Sequence, residues 1–356
     1  MTVPLGGEFI VLSLNNVIGE YKMSNVCLVT GANGHLGGNV VRALIAQGET
    51  VRAGMRDIQN VDNFFHLNCQ VVYTEMQDID AMRKALEGVD ILYHVAAVFK
   101  HWAKDPITEI VQPNVKGTEI VLKAAAEANV KKVVYVSSVA AVGHDGNYLD
   151  ENSWNTLSNN AYYNSKIKSE QKAWELAKKY NLWMVSVLPS AMIGPHANRL
   201  TDTMQFIETI RTNKLLIDPH FFFNFVDVRD VAKGVVAATT KGSSGSRYIL
   251  ANNNSSSLTE IYNAAQSTGI NLKAPARLPK WVIYFIALCA ELAAKVTGKP
   301  AELIRSQVAL FYGIRQEYEI TKARNELGYE PRLPSEALRD VFEYLNGRES
   351  KLLSSP

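Results

Sequence analysis

Short apolar runs alternate with helix-like segments from Val26 to about Leu188, and this alternation restricts the fold more than any other feature of the chain. The runs lack a polar alternation, which is typical of strands buried on both faces of a parallel sheet. The segments between them suit right-handed helical crossovers. The runs are VCLVT, TVRAGM, CQVVYTEM, VDILYHVAAV, KKVVYVSSVA and LWMVSVLPS. The sequence therefore predicts an α/β fold built on a doubly wound parallel sheet.

The pattern changes after Leu188, which indicates a second part of the molecule. Residues 191–224 contain prolines and an amphipathic segment, whereas strand-like and helix-like patterns return over 225–251. The rest of the chain is mainly helix-like. We predict a dinucleotide-binding sheet domain of residues 23–190 plus 225–251, a smaller, mostly helical C-terminal part of residues 191–224 plus 252–346, and a tail of residues 347–356.

Residues 1–22 precede a second methionine, Met23, and we separate them as an N-terminal extension. One hypothesis is that Met23 is the natural start. The alternative is an extra strand or a loose tail. The segment lacks a basic region and a small-residue cleavage site, so it does not resemble a signal peptide.

The overall composition is that of an ordinary globular enzyme and excludes several function classes. Hydrophobic residues make up 47% of the 356 residues, and 37 basic residues against 35 acidic ones give a net charge of +2. This balance gives no electrostatic reason to expect nucleic acid as a partner. The three cysteines form no CxxC pair, which argues against a disulfide framework or a metal site and favours a reducing compartment, the cytoplasm.

The apolar run from Trp281 to Val296 allows more than one interpretation. It is shorter than the roughly 20 residues that span a bilayer, and Glu291 interrupts it. We predict a buried or surface-docking helix. Peripheral contact with a membrane is the alternative, because Lys280, Trp281 and Tyr284 lie at its start.

The segment TGANGHLGG, which follows the first apolar run, carries the first functional signal. Its glycines fall at Gly31, Gly34 and Gly37, where the chain passes from a strand to a helix that starts near His35. Glycine permits a tight turn and a close approach of the backbone, and the helix N-terminus offers free N–H groups and a positive dipole end. The segment predicts a site for the pyrophosphate of a dinucleotide in a Rossmann fold.

The end of the second predicted strand indicates which dinucleotide binds. NAD sites place an acidic residue there to hold the ribose 2′-OH, but this chain has Met55 followed by Arg56. A cation favours a 2′-phosphate, so we predict NADP(H). Asp57 could serve a 2′-OH, which leaves NAD(H) as the alternative. After the third strand, Asp78 could accept from the adenine amino group or could equally be a helix cap, and we favour the adenine contact because Asp80 is better placed as the cap.

A second constellation lies in the segment AYYNSKIKSE. Tyr162 and Lys166 are four positions apart, so they share one face of a helix. A phenol has a reference pKa of about 10, and a neighbouring ammonium group lowers it, which makes the pair a sensible acid/base unit. Ser137 and Ser138 end the preceding strand, and because successive residues point to opposite faces, we expect one of them to face a substrate.

Together these motifs resemble the extended short-chain dehydrogenases/reductases, the NAD-dependent epimerase/dehydratase superfamily. Within it the chain looks most like the dihydroflavonol reductase and 3β-hydroxysteroid dehydrogenase branch. The resemblance covers most of the chain but not the first 22 residues. The matching segments are TGANGHLG, VRAGMRD, GVDILYHVAA, NVKGT, VVYVSS, YYNSK, LPSAMIGP, FVDVRDVA and TKARNELGYEP.

The resemblance implies a set of site residues. Ser138, with Ser137 as the alternate, would hydrogen-bond the substrate oxygen, Tyr162 would transfer the proton, and Lys166 would bind the nicotinamide ribose and lower the pKa of the phenol. The implied cofactor-binding residues are Gly31, Asn33, Gly34, His35, Leu36, Gly37, Arg56, Asp78, Ile79, Ala96, Ala97, Asn114, Tyr162, Lys166, Pro189 and Ser190. A homodimer is a further expectation from the family.

The resemblance implies an oxidoreductase that interconverts a carbonyl and an alcohol by hydride transfer. The C-terminal part would bind the substrate, for which a bulky apolar compound of steroid or flavonoid type is our expectation. Candidate substrate contacts are His101, Trp102, His144 and Tyr163, each of which could equally be a surface or packing residue. The alternatives are an NAD-dependent nucleotide-sugar epimerase or dehydratase and a regulator that senses dinucleotide without turnover.

Overall fold

The computed structural model describes residues 24–61, 64–99, 103–143, 148–156, 160–298, 301 and 303–354. The extension 1–22 and the candidate contacts His101, Trp102 and His144 lie outside these residues. The described residues form eleven strands: β1 Val26–Thr30, β2 Thr50–Met55, β3 Gln70–Tyr73, β4 Ile91–His94, β5 Lys132–Val136, β6 Tyr148–Leu149, β7 Met184–Pro189, β8 Ala191–Ile193, β9 Phe225–Asp227, β10 Arg247–Leu250 and β11 Glu317–Tyr318.

The described residues also form ten α-helices. They are α1 His35–Ala46, α2 Ile79–Leu86, α3 Gln112–Glu127, α4 Ala161–Lys179, α5 Asp202–Arg211, α6 Val228–Thr240, α7 Leu258–Ser267, α8 Lys280–Thr297, α9 Arg305–Phe311 and α10 Pro334–Ser354. A π-helical segment, Ile107–Val111, leads into α3. α10 extends through Ser354, so it includes most of the segment that the sequence analysis separated as a tail.

The main sheet has seven strands in the order β3-β2-β1-β4-β5-β7-β10, and every neighbouring pair is parallel. The predicted doubly wound parallel sheet is thus confirmed. Along β1, Cys27 and Val29 enter the core on the side of α1 and α6, whereas Leu28 enters the core on the side of α2, α3 and α4. Burial on both faces explains why the strands are uninterrupted apolar runs.

The smaller part packs beside this sheet around its own cores. β8 pairs with β9 in a separate parallel sheet of two strands, and α5, α7 and α10 enclose a third cluster with Phe225 and Phe342 at its centre. A fourth, small cluster joins α8 to α9 and contains Ile283, Ala287 and Val308. Within the described ranges, no helix is long and apolar enough to cross a membrane. Cys27, Cys69 and Cys289 are free thiols.

Candidate active site

The carboxyl ends of β1, β4, β5 and β7 lie side by side at one edge of the main sheet, because these strands are neighbours and parallel. The chain segments that leave these ends carry the residues that the sequence singled out. In open α/β sheets, ligands bind at this edge, where successive connections go to opposite faces.

The glycine turn after β1 brings backbone against backbone. Gly31 adopts a φ of +67°, and a Cβ there would lie 2.9 Å from the Cα of Ala96. A Cβ on Gly37 would lie 2.2 Å from the carbonyl oxygen of Gly31, so α1 can sit on the turn only if this residue has no side chain. Gly34 is the N-cap of α1, no side chain caps it, and no acidic residue occupies the first turn. The N–H groups of that turn are therefore available to an anionic ligand.

The two residues Asn33 and His35 connect the glycine turn to the C-terminal part. The Nε2 of His35 lies 3.0 Å from the carbonyl oxygen of Gly194 and 3.1 Å from that of Pro195. Carbonyl oxygens only accept, so this nitrogen carries the proton. Burial lowers the pKa of His35, which keeps the ring neutral. Asn33 accepts a hydrogen bond of 2.5 Å from Asn198. Leu36, next to them, is a core residue.

Arg56 is exposed directly after β2 and forms no hydrogen bond or ion pair with another described residue. Asp57, the alternative ribose partner, accepts a hydrogen bond of 3.2 Å from the backbone N–H of Gln59. The turn after β2 therefore presents the Arg56 cation to solvent, whereas the Asp57 carboxylate stabilises the turn by a hydrogen bond to its backbone.

The helix cap of α2 differs from the expectation. Asp78, and not Asp80, is the N-cap, and its Oδ1 accepts from the backbone N–H groups of Asp80 and Ala81 at 3.0 and 3.1 Å. The assignment of the cap to Asp80 was wrong, because the helix begins one residue after Asp78. The contact of Asp78 with adenine stays a prediction. Ile79 is the first residue of α2 and packs against the second core cluster.

The segment after β4 is held from two directions. Thr30 Oγ1 accepts hydrogen bonds from the N–H groups of Val95 and Ala96 at 3.1 and 3.2 Å, and it lies 2.9 Å from Nδ1 of His94. Because the Thr30 hydroxyl oxygen accepts two hydrogen bonds, its own proton is available for donation to Nδ1 of His94. Burial, with a contribution from the nearby Lys166 charge, lowers the pKa of His94 to about 3, so the ring is neutral.

Asn114 holds the same segment from the other side. Its Oδ1 accepts from the N–H of Val98 at 2.7 Å, and its Nδ2 donates to the carbonyl of Val98 at 2.9 Å and to Ser165 Oγ at 3.3 Å. Asn114 thus joins α3, α4 and the loop after β4. Ala97 is exposed in this loop, between two anchored neighbours.

The two serines after β5 have separate roles. Ser137 Oγ donates a hydrogen bond of 2.7 Å to the buried carboxylate of Glu170. Ser138 Oγ accepts from the N–H of Ala140 at 3.2 Å, and its hydroxyl lowers the pKa of the Tyr162 phenol. Ser138 therefore faces the tyrosine, and Ser137 faces a structural ion pair.

Tyr162 and Lys166 occupy one face of α4, as their spacing predicts. Burial raises the pKa of Tyr162 to about 12, although the hydrogen bond to Ser138 acts in the opposite direction. Burial lowers the pKa of Lys166 to about 8, and the charge of Glu170 one turn further along opposes this shift. Lys166 forms no ion pair with any residue described in the structure, so its charge is available to the phenol and to a ligand.

Two aromatic rings contact the ring of Tyr162: that of Phe99 and that of Tyr163, the latter at a centroid distance of 5.9 Å. The ring of Phe99 meets that of Tyr162 edge to face at a centroid distance of 4.8 Å. Tyr163 is buried and lies 6.0 Å from the ring of Phe311 in α9, which makes it a packing residue of the crevice wall.

The comparison with protein families identifies the chain. The model of the NAD dependent epimerase/dehydratase family matches residues 27–251, which include the glycine turn, the serines and the Tyr–Lys pair. The chain belongs to this family. The family consists of extended short-chain dehydrogenases/reductases, as the motifs indicated. This chain is an NAD(P)-dependent oxidoreductase that acts on carbonyl or alcohol groups.

Similar proteins agree with this assignment. A putative dihydroflavonol 4-reductase of Synechocystis sp. is 32% identical over 335 residues, which cover 90% of this chain and 95% of the relative. The crystal structure of gox2253 has a TM-score of 0.78 and 32% identity, and the match covers 91% of this chain and 99% of the other. Yeast methylglyoxal/isovaleraldehyde reductase Gre2, solved with NADPH, has the same fold at 20% identity, with a TM-score of 0.72 and coverage of 92% and 99%.

The residues of this family member suit a nicotinamide dinucleotide. The uncapped start of α1 offers N–H donors for phosphate, and the buried Lys166 ammonium has no carboxylate partner among the described residues. Ser190, just after Pro189 at the end of β7, is buried, and its Oγ has no hydrogen-bond partner in the described structure. An unsatisfied buried hydroxyl at a ligand edge is explained by a hydrogen bond to the ligand.

Sequence reasoning missed several residues of the site. Glu170 accepts from Ser137 and forms a buried ion pair of 2.8 Å with Arg247 of β10. It follows Lys166 by four positions, as Lys166 follows Tyr162, so the helical spacing was the available signal. Thr30 and His94 are each the last residue of a strand, but nothing in the sequence shows that these strands are neighbours.

Proposed function

We propose that the protein is an NADP(H)-dependent reductase that interconverts a ketone or aldehyde and an alcohol, with Ser138, Tyr162 and Lys166 as its catalytic residues. The observation that carries this proposal is the placement of three groups at the carboxyl edge of the sheet: the Ser138 hydroxyl, which lowers the pKa of the Tyr162 phenol, the phenol itself, and the buried Lys166 one helical turn further on. The dihydroflavonol reductase relative supports the reaction class.

Each residue has a distinct role in the proposed reaction. A bound nicotinamide dinucleotide supplies hydride to the carbonyl carbon. Tyr162 donates its proton to the carbonyl oxygen, and Ser138 hydrogen-bonds the same oxygen and fixes its position. Burial raises the pKa of the phenol to about 12 and the Ser138 hydroxyl opposes this shift; we infer that the Lys166 ammonium group acts in the same direction as Ser138 during the reaction. In the oxidative direction the phenolate accepts the proton of the alcohol.

The cofactor preference rests on the turn after β2. Arg56 is exposed there, whereas Asp57 is engaged with the backbone of its own turn. We infer that Arg56 pairs with the 2′-phosphate of NADP(H), as guanidinium groups do with phosphates. The N–H groups at the start of α1 would hold the pyrophosphate, Asp78 the adenine, and Ser190 the nicotinamide end. Gre2, which has the same fold, binds NADPH.

The proposed substrate is bulky and apolar. Phe99 covers one side of the Tyr162 ring, and Phe311 and Phe221 lie 5.6 Å apart beside Tyr163. An aromatic wall next to the proton donor favours a flat apolar substrate, because such surfaces stack and exclude water. The flavonoid substrate in the name of the Synechocystis relative supports this class.

The test follows the oxidation of NADPH and of NADH with dihydroflavonols, aromatic aldehydes and ketosteroids. Arg56→Ala should raise the KM for NADPH about 10-fold and leave that for NADH nearly unchanged, because a charge-assisted contact with phosphate is lost. Asp57→Ala is the matched control and should leave the NADPH value unchanged. Equal weakening of both cofactors by Arg56→Ala would overturn the NADP(H) assignment.

A further inference from the structure

The outward face of α8 carries large apolar side chains in a row. Trp281 is 75% exposed, Phe285 62%, Leu292 54% and Val296 87%. Their spacing of four, seven and four residues places them on one stripe of the helix. The opposite face, with Ile283, Ala287 and Ala294, is buried. Contiguous exposed apolar surface of this kind marks an interaction site in soluble proteins.

The surroundings of this stripe are strongly basic. The described residues of 270–316 include the basic side chains Lys273, Arg277, Lys280, Lys295, Arg305 and Arg315. Glu291 is the one acidic residue described in this range, and it pairs with Arg305 at 2.8 Å. Asp218 pairs with Arg277 at 3.2 Å, so the excess positive charge is carried by Lys273, Lys280, Lys295 and Arg315. The chain as a whole carries only +2, so this region holds an excess of positive charge that the rest of the molecule balances.

Lysines stand at both ends of the apolar stripe. Lys280 precedes Trp281 in the first turn of α8, where its Nζ lies 5.7 Å from the centroid of the Tyr312 ring, and Lys295 precedes Val296 in the last turn. Both lysines are exposed. Apolar side chains between two cations, with a tryptophan at one end, form the pattern of a helix that lies in the interface of a bilayer.

We propose that α8 docks the protein on an anionic membrane surface, with the Trp281–Val296 face in the acyl boundary and the lysines at the headgroups. Charge decides this occupant over a second copy of the chain, because two copies meeting at α8 would bring two basic surfaces together. An anionic lipid surface complements the same charge and attracts each cation.

The position of α8 gives the docking a consequence for the reaction, which rests on the proposed function. Ile283 and Ala287 pack with Val308 of α9 and with Phe221. Phe311, at the end of α9, contacts Tyr163, the neighbour of the proton donor Tyr162. The exposed face of α8 is opposite to the face that packs on Phe221 and α9, so a membrane there lies one helix away from the aromatic wall, and docking brings the substrate side of the protein to a surface in which apolar compounds dissolve.

The test measures binding of the full chain to sedimented phosphatidylcholine vesicles with and without phosphatidylserine, which needs no turnover. We expect binding to the anionic vesicles that falls as salt is raised. The double variant Trp281→Ser/Phe285→Ser should lose at least about 10-fold of this binding. Lys280→Glu/Lys295→Glu should lose more than 10-fold, since each cation contributes about five-fold near an anionic surface.

The matched control is Phe65→Ser/Leu333→Ser, which removes two exposed apolar side chains far from α8 in sequence. This variant should bind as the unchanged protein does, and all variants should keep the thermal unfolding midpoint. Absence of vesicle binding, or an equal loss in the control, would overturn the proposal. A concentration-dependent dimer that Trp281→Ser/Phe285→Ser abolishes, without vesicle binding, would assign the face to a second copy. Vesicle binding by a chain without reductase activity would support the docking and count against the proposed function alone.

Discussion

The start of α1 and the exposed face of α8 are the two helix surfaces that we propose bind ligands, and they differ in how tightly the helix packs on the rest of the protein. α1 meets the turn after β1 so closely that Gly37 has no room for a methyl group, and the nearby Asn33 and His35 form hydrogen bonds with the loop of residues 194–198. α8 rests on one small cluster and leaves Trp281 and Phe285 in water. The tight packing at the start of α1 fixes the backbone N–H donors that would bind one particular ligand. The exposed face of α8 offers an apolar surface but few groups held in fixed positions.

The difference shows where specificity is decided in such a molecule. Every dinucleotide has the same pyrophosphate group, so the glycine turn that would bind it can pack tightly against α1 in one fixed conformation. We propose that the substrate, in contrast, contacts side chains of the C-terminal part, such as Phe221 and Phe311. Single substitutions in and around the tightly packed site should show how strongly it depends on individual atoms.

The largest effect is expected from the phenol. Tyr162→Phe should lower the rate of carbonyl reduction about 10²- to 10⁴-fold, because it removes the proton donor and leaves the ring. Tyr163→Phe is the matched control, since Tyr163 is buried against Phe311, and its rate should change little. Steady-state rates with saturating NADPH check this. Comparable rates in Tyr162→Phe and the unchanged protein would remove Tyr162 from the reaction.

The next effect concerns the ion pair behind the catalytic helix. Glu170→Gln should lower the free energy of unfolding by about 3 kcal/mol, because the buried Arg247 guanidinium keeps its charge and loses its partner. Urea unfolding measures this. Glu127→Gln, which breaks the exposed pair with Arg83, should change stability far less. Similar losses in the two variants would show that burial does not decide the outcome.

A smaller effect is expected from one methyl group in each part of the molecule. Gly37→Ala should destabilise by about 1–3 kcal/mol, because the new Cβ overlaps the Gly31 carbonyl. Gly347→Ala should stabilise by about 0.5–1 kcal/mol, because this glycine lies within α10 with open space around it. Thermal unfolding compares the two. Equal changes in the unfolding midpoint would show that the glycine turn accommodates a methyl group as readily as the surface of α10 does.

The smallest effect is a pH dependence set by Lys166. Its folded pKa of about 8 lies below the reference value of 10.5, so the unfolded chain binds more protons between these values. The contribution of Lys166 to stability should therefore rise as pH increases through this window, while the reduction rate falls because the ammonium is lost. Cys27, whose pKa burial raises to about 12, acts on stability in the opposite direction, so the measured quantity is the difference between the unchanged protein and Lys166→Met. This difference should rise with pH in urea unfolding, and a difference that falls through the window would contradict the assignment.

Local patterns in the sequence determined which segments form the strands of the sheet and where the main motifs lie. The strands are apolar because they are buried on both faces, so their runs were visible without any tertiary information. The turn at Gly31, the shared helical face of Tyr162 and Lys166, and the left-handed closure of α3 by Asn129 depend on neighbours within a few positions. Such features follow from backbone geometry and side-chain spacing alone.

Tertiary structure alone decided which distant groups meet. The His35 ring bonds carbonyls about 160 positions away, and Glu170 bonds Arg247 of a strand at the sheet edge. These partners depend on strand order and on the way the C-terminal part folds back, which periodicity does not encode. The same holds for α8: its sequence is apolar on nearly all sides, and only packing determined that Ile283 lies inside and Trp281 in solvent.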